Sequence, residues 1–374
     1  MKKIIATLAC LFFIFDLSSQ NKDTSRVLEP DQEFYKQGCK LADSSKYKEA
    51  IKVFQKAIKA NSVFHQAYNK IAYCKVKLGD FKGAEKDLLK SLKIQPEDYN
   101  TIKYLGFVYL EDKRYKDSKF YLDSAKHYLK EEPELNFLLG RLMMEMNDLK
   151  SSLNYFNFCL EHKENYGEAY FKRGIVLYRM AKEKKNNSKG IMNSEEGKKM
   201  MRNFKLAVND VTKGFEYFPN DTTNLEAFFV RGESSFEIGD YMTSFKDFNA
   251  ILKQEPKNIQ ALMYRGAARL ELNDFSGSID DESKALDLDK NLFQAYNFRG
   301  VAKSGLRLHK DAIKDFDEAI NLKPNFHSAF TNRASCYYEL KNIKKACDDL
   351  YKAEGFGSFI ATELIEKFCR DIKK

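Results

Sequence analysis

Residues 293–326 read FQAYNFRGVAKSGLRLHKDAIKDFDEAINLKPNF, and this stretch sets the frame for the rest of the chain. Its landmarks are Tyr296, the Arg299-Gly300 pair, then Ala312, Phe316, Ala319 and Pro324, the spacing of two short helices packed against each other. Thirty-four residues earlier the frame recurs: Gly300 falls on Gly266 and then Gly232, Ala312 on Ser278 and Ser244, Pro324 on Lys290 and Pro256.

Carried along the chain, the frame gives nine units starting near 31, 65, 99, 133, 167, 225, 259, 293 and 327. The small position of the first helix reads Gly38, Ala72, Gly106, Gly140, Gly174, Gly232, Gly266, Gly300, Ala334. That of the second helix reads Ala50, Ala84, Ser118, Ser152, Ala207, Ser244, Ser278, Ala312, Ala346. No large residue enters either set, because helices at short interaxial distance leave no room for a side chain at closest approach. The knob of the second helix is Phe54, Leu88, Leu122, Phe156, Val211, Phe248, Phe316 or Leu350, and only the seventh unit departs, with Glu282.

A small residue on each of two helices and a closing proline, repeated every 34 positions, resembles the tetratricopeptide repeat. The resemblance covers nearly everything after residue 30. It implies an all-α fold: a right-handed superhelical solenoid of about nine helix pairs over 31–358, whose first helices line a concave groove. Residues 359–374 then read as a capping helix, with Ile360, Leu364, Ile365 and Phe368 on one apolar face to cover the end of the array.

The chain has 374 residues, 31% charged and 43% hydrophobic, with a mean hydropathy of -0.55, the composition of a folded soluble protein. Its net charge of +9 is spread over 63 basic and 54 acidic residues. That is mixed surface charge, and no nucleic-acid partner is predicted from it. Residues 1–19 place Lys2 and Lys3 before an apolar run from Ile4 to Phe15 and end in Ser18 and Ser19, the layout of an export signal. Residues 20–30 are a polar lead-in. The mature chain has no transmembrane segment, and signal and body together resemble exported, periplasmic repeat proteins of the Bacteroidetes type; secretion and envelope association are the alternatives.

Two departures break the 34-residue spacing. Residues 181–202 form a Lys- and Asn-rich insertion, a basic loop or an extension of the fifth helix pair, and about three extra residues fall at Asp221, Thr222 and Thr223. The units also differ among themselves. In the first four, Gln37, Ile71, Leu105 and Leu139 precede the small position; in the last five it is Arg173, Arg231, Arg265, Arg299 and Arg333. The same five carry Asp210, Asp247, Asp281, Asp315 and Asp349 before the second-helix knob, so structural pairs of arginine and aspartate are predicted across each helix pair. Glu282 is expected to form an ion pair with Arg269 or Lys303 and leave a softer joint, the alternative being that these long side chains reach out to water.

Groove facing carried over from the resemblance puts Tyr73, Lys103, Phe107, Phe137, Arg141, Phe171, Phe229, Met263 and Asn297 on the binding face, aromatic enough to hold a hydrophobic peptide segment. The known clamp of Lys, Asn and Arg for a terminal carboxylate finds only scattered members, Asn69, Lys70, Lys103 and Asn332. Seven cysteines without CxxC, and five histidines without HExxH, predict no metal and no cofactor. Buried free thiols are the main reading of the cysteines, and Cys336 and Cys347 are the one pair considered for a disulfide. With no GxSxG and no phosphate-cradling glycine loop, the chain is read as a non-catalytic scaffold or adaptor for a partner protein or peptide. The alternative is a cell-wall glycan or polyanion binder using groove tyrosines and the basic insertion. Partner identity, groove against convex face, and self-association stay open.

Overall fold

The structure, a computed structural model of the chain, describes residues 29–187, 194–219 and 221–369. The expected export signal at 1–19, the lead-in over 20–28, residues 188–193 of the insertion, residue 220 and the chain beyond 369 lie outside the described residues. Within them the elements are all helical: nine pairs and a last single helix. The pairs are α1 (Pro30–Asp43) with α2 (Tyr47–Ala60), α3 (His65–Lys77) with α4 (Phe81–Ile94), α5 (Tyr99–Glu111) with α6 (Tyr115–Lys126), α7 (Pro133–Glu145) with α8 (Leu149–His162), and α9 (Gly167–Asn187) with α10 (Glu195–Tyr217). They continue as α11 (Leu225–Glu237) with α12 (Tyr241–Gln254), α13 (Ile259–Glu271) with α14 (Phe275–Leu288), α15 (Phe293–Gly305) with α16 (His309–Leu322), and α17 (His327–Glu339) with α18 (Ile343–Gly355), closed by α19 (Phe359–Phe368).

The described residues divide into two compact bodies, 29–187 with 212–219 and 221–224, and 194–211 with 225–369. In the first, each helix from α1 to α8 packs on the next, and α1, α3, α5 and α7 each also touch the next odd-numbered helix. In the second, α11 to α19 stack the same way, with α11, α13 and α15 reaching the next odd-numbered helix.

Eight of the nine pairs turn at one fixed place. Ser45, Gly79, Lys113, Asn147, Gly239, Asn273, Arg307 and Lys341 all have positive φ, and they recur in the 34-residue register. A left-handed residue reverses the chain in the fewest steps; with a Cβ it costs roughly 1 kcal/mol, which the packing of the pair offsets. Where Asp or Asn follows, its side chain caps the next helix: Asp80 accepts from the Gly83 N–H, Asp148 from Ser151, Asp240 from Thr243, Asp274 from Gly277 and Asn342 from Lys345. The matching residue of the fifth pair, Ala181, stays helical, and α9 runs on to Asn187. The described ends of the 181–202 insertion are therefore helix extensions.

The small positions sit where the frame requires. A Cβ added at Gly38 would fall 2.5 Å from the Phe54 ring, at Gly140 2.8 Å from Phe156, and at Gly300 2.7 Å from Phe316, and all three rings are fully buried. Glu282 occupies the same place against Gly266, fully buried, but not as an ion pair. Arg269 is engaged by Asp281 at 2.8 Å and Asp274 at 3.3 Å, and Lys303 by Asp315 at 2.7 Å. The predicted exchange of a knob for a salt bridge is thus not made, because each nearby cation already meets an aspartate.

Two further expectations change at the C-terminal end. The disulfide joins Cys347 to Cys369, not to Cys336. Cys347 on α18 faces the end of α19, whereas Cys336 on α17 points back toward α15, where its Sγ donates to Ser304 Oγ at 3.4 Å. The apolar face of α19 is Ala361, Leu364, Ile365 and Phe368 against Phe330, Ala346, Leu350 and Ala353, while Ile360 points out and is 61% exposed.

Candidate functional site

The second-half pairing is carried by geometry repeated from helix pair to helix pair. Arg231 directs Nε and Nη2 onto Asp247 at 2.8 and 2.7 Å, Arg265 onto Asp281 at 2.9 and 2.6 Å, Arg299 onto Asp315 at 3.0 and 2.7 Å, and Arg333 onto Asp349 at 2.8 and 2.7 Å. The remaining Nη1 reaches the preceding pair: Arg265 donates to Asn249, Arg299 to Ser283 and Arg333 to Asp317. One guanidinium therefore staples three helices, using the planar fork that lysine lacks. Arg173 donates to Asn157 Oδ1 at 3.0 Å, and Asp210 lies in the other body. Burial pushes the Asp247 carboxyl up against the pull of its Arg231 partner.

The residues predicted for the groove separate into two sets. One column packs on the knob of its own helix pair: Phe137 on Phe156 at 5.8 Å and Phe229 on Phe248 at 5.7 Å, as Tyr35, in the same register of the first unit, does on Phe54 at 5.7 Å. Phe137 is also 4.8 Å from the Tyr166 ring and fully buried. Phe171 is buried against Phe215 and Phe218 at 5.0 and 6.0 Å. Phe229 and Met263 are half-buried in the apolar cluster around Phe248. Asn297 is buried and accepts from Asn332 Nδ2 at 3.0 Å. Lys103, 1% exposed, is ion-paired with Glu132 and lies 3.7 Å from Glu134. These are packing positions, because the column that faces the partner helix is the one the close approach of each pair covers.

The column one turn further along, Tyr73, Phe107 and Arg141 on α3, α5 and α7, is half-buried and keeps an accessible surface. Tyr73 meets Tyr47 edge-on at 6.3 Å, and Lys77 stands 5.5 Å over its ring. Arg141 donates through Nη2 to Glu111 Oε1 at 2.8 Å, while its Nη1 is buried with no hydrogen-bond partner. Its guanidinium is 5.9 Å from the centre of Phe137, whose ring lies against Tyr166; the Tyr166 hydroxyl is likewise buried and without a partner. Lys163 covers Tyr166 at 4.8 Å and lies 3.5 Å from Glu134. Burial pushes the Glu168 carboxyl up to about 7, opposed by Arg141, Lys77, Lys172 and Lys163.

A buried guanidinium nitrogen without an acceptor costs about 1 to 3 kcal/mol until something supplies one. Two orphaned donors around one ring, beside half-exposed aromatic faces, give this patch the chemistry to hold a polar acceptor flanked by apolar groups. The matching column of the second body, Glu233, Ala267, Val301 and Ser335, has no ring and no cation. Sequence reasoning placed Tyr73, Phe107 and Arg141 among the groove residues but missed Tyr166, which sits in the turn between units where the repeat frame assigns no role.

Tetratricopeptide-repeat family models match residues 35–99 and 293–326. No curated protein matches the chain in sequence. Among solved structures it is similar to the human IFIT1 dimer with m7Gppp-AAAA, at 13% identity over 88% of this chain and 72% of that one, with a TM-score of 0.52. It is also similar to YrrB, described as a TPR protein with an unusual peptide-binding site, at 15% identity over 56% of this chain and 95% of that one, TM-score 0.46. A tetratricopeptide repeat protein from Parabacteroides merdae matches at 17% identity over 73% and 98%, TM-score 0.41. What the chain shares with the first of these at such identity is the fold alone, an all-α solenoid of tetratricopeptide-repeat type.

Proposed function

We propose that the chain is a non-catalytic scaffold that holds a segment of a partner protein across α3, α5 and α7, on Tyr73, Phe107 and Arg141. The observation that carries this reading is the Arg141 Nη1, buried beside half-exposed rings with no acceptor of its own. A bound segment would give it one, a backbone carbonyl or side-chain oxygen, while apolar side chains cover the Tyr73 and Phe107 faces. We place the protein outside the cytosol. The Cys347–Cys369 bond supports that placement, since such bonds persist where glutathione does not reduce them.

The test is photo-crosslinking from position 107 in cells of the source organism, with a crosslinker at the exposed Phe120 of α6 as control. A partner captured from 107, absent from 120 and weakened about tenfold or more by Arg141→Ala agrees with the proposal. Equal capture from both positions, with no effect of Arg141→Ala, overturns it. Capture abolished by salt but indifferent to Phe107→Ala favours the polyanion alternative.

A further inference from the structure

Seven described helix pairs set a buried apolar knob from the second helix against the small residue of the first: Phe54, Leu88, Leu122, Phe156, Phe248, Phe316 and Leu350. The seventh pair sets Glu282 there. The side chain is 0% exposed, and neither Oε1 nor Oε2 has a hydrogen-bond partner. The Ser278 hydroxyl, one turn back on the same helix, is buried and unpartnered too.

The charges around Glu282 are committed elsewhere. On its own helix, Asp281 takes the Arg265 fork and Arg269 Nη1, so two cations of α13 converge one residue away from Glu282 and stop there. From α13 itself, Gly266 faces Oε1 with no side chain to offer. From α15, Arg299 is held by Asp315 and Ser283, and Lys303 by Asp315. An ionised carboxylate in that position has no donor to replace its water, which costs several kcal/mol; a neutral carboxyl avoids most of this. Burial first, and then the neighbouring Asp281 charge, push the Glu282 carboxyl well above the usual range, and the attraction of Arg299 does not reverse it.

We propose that the seventh helix pair is a proton-operated joint: with Glu282 neutral, α13, α14 and α15 stay closed around it, and with Glu282 ionised the carboxylate draws in water and the pair opens locally. The knobs of the neighbouring pairs, Phe248 and Phe316, carry no group to ionise, and Asp247 beside the first of them, though also pushed up by burial, is held by the Arg231 fork.

The direction follows from proton linkage. The open chain releases the proton near the ordinary value of 4.5, whereas the closed pair keeps it to higher pH. The stabilisation is therefore complete below about pH 4.5 and is lost as pH rises toward the folded value. With one proton held only by the closed form, the opening constant rises about tenfold per pH unit across that window.

The experiment is hydrogen exchange of the full chain between pH 5 and 8, corrected for intrinsic exchange and read on peptides from 259–288, with 225–254 as the internal control. The wild type is expected to show an opening constant for 259–288 that climbs with pH, by at most about tenfold per unit and levelling off at the folded value, and more steeply than the control. Glu282→Gln, which keeps the shape and removes the charge, and Glu282→Leu, which restores the residue type of other pairs, are both expected to flatten the climb. A flat wild-type profile, or a climb that survives in Glu282→Gln, overturns the proposal. Should either variant unfold, the wild-type profile against its internal control still decides.

Discussion

The pairs α5/α6 and α15/α16 share one backbone frame and hold it with opposite chemistry. In the first, Leu105 is fully buried, Tyr109 stacks on Tyr121 at 5.2 Å, and Ser118 donates to the Gly106 carbonyl at 2.8 Å. In the second, Arg299 stands in the register of Leu105, Lys303 in that of Tyr109 and Asp315 in that of Tyr121, and all three meet as one ionic cluster. An aromatic stack tolerates sliding, since its attraction is broad. A forked guanidinium fixes both distance and direction, so the second body trades adaptable contacts for fixed ones.

The largest effect that would break this comparison is expected from Asp315→Ala. It strands Arg299 and Lys303 together and should cost about 4 kcal/mol in urea unfolding, where the equivalent Tyr121→Ala costs about half as much. A loss below about 0.5 kcal/mol for Asp315→Ala would show that the cluster is solvated and the contrast superficial.

Next comes the redox contrast. The second body holds the Cys347–Cys369 bond across 22 residues, whereas the cysteines described in the first, Cys39, Cys74 and Cys159, are free, and burial pushes the Cys74 and Cys159 thiols up to about 12. Reductant is expected to destabilise α19 by about 3 kcal/mol and to leave α1 to α8 unchanged, measured by exchange on peptides from each. Equal protection of α19 with and without reductant would show that its apolar face alone holds it.

A smaller effect probes a cation of the first body. Burial lowers the Lys70 amine to about 8, against partial support from Cys39, Asp43 and Cys74. Between about pH 8 and its ordinary 10.5 the unfolded chain keeps a proton that the folded chain has lost, so this group's contribution to stability rises with pH and is at its worst below 8. Lys70→Met is expected to gain about 1 to 2 kcal/mol at pH 7 and to lose that gain near pH 10, by paired urea titrations. A gain that does not change with pH would be packing alone.

The smallest expected change is the sharpest test of equivalence. Giving α15/α16 the chemistry of α5/α6, through Arg299→Leu, Lys303→Tyr and Asp315→Tyr together, should leave stability within about 1 kcal/mol of wild type, since buried ion pairs are exchangeable for well-packed apolar groups. A loss of several kcal/mol would mean that the two frames differ in more than their side chains. Ser283, left without Arg299 Nη1, is the first place to look.

The repeat, the register of eight helix pairs and the arginine and aspartate columns are legible in the sequence alone. All of these depend on contacts within one helix pair, where residues 12 to 19 apart must meet in every pair but the fifth, and eight copies of one frame make such spacing visible. Only the tertiary structure decided the contacts that leave the pair. The third arm of each arginine lands on Asn249, Ser283 or Asp317, a position too mixed in chemistry to read as a column. Cys347 finds Cys369 because α19 docks outside the 34-residue register. Phe137 and Phe171 turn out to be core because facing is a matter of which neighbour arrives first, and a turn residue such as Tyr166 arrives from the next unit. Glu282 is isolated for the same reason: its charge could be seen in the chain, but whether a cation was left to meet it depended on where Arg269, Arg299 and Lys303 had already gone.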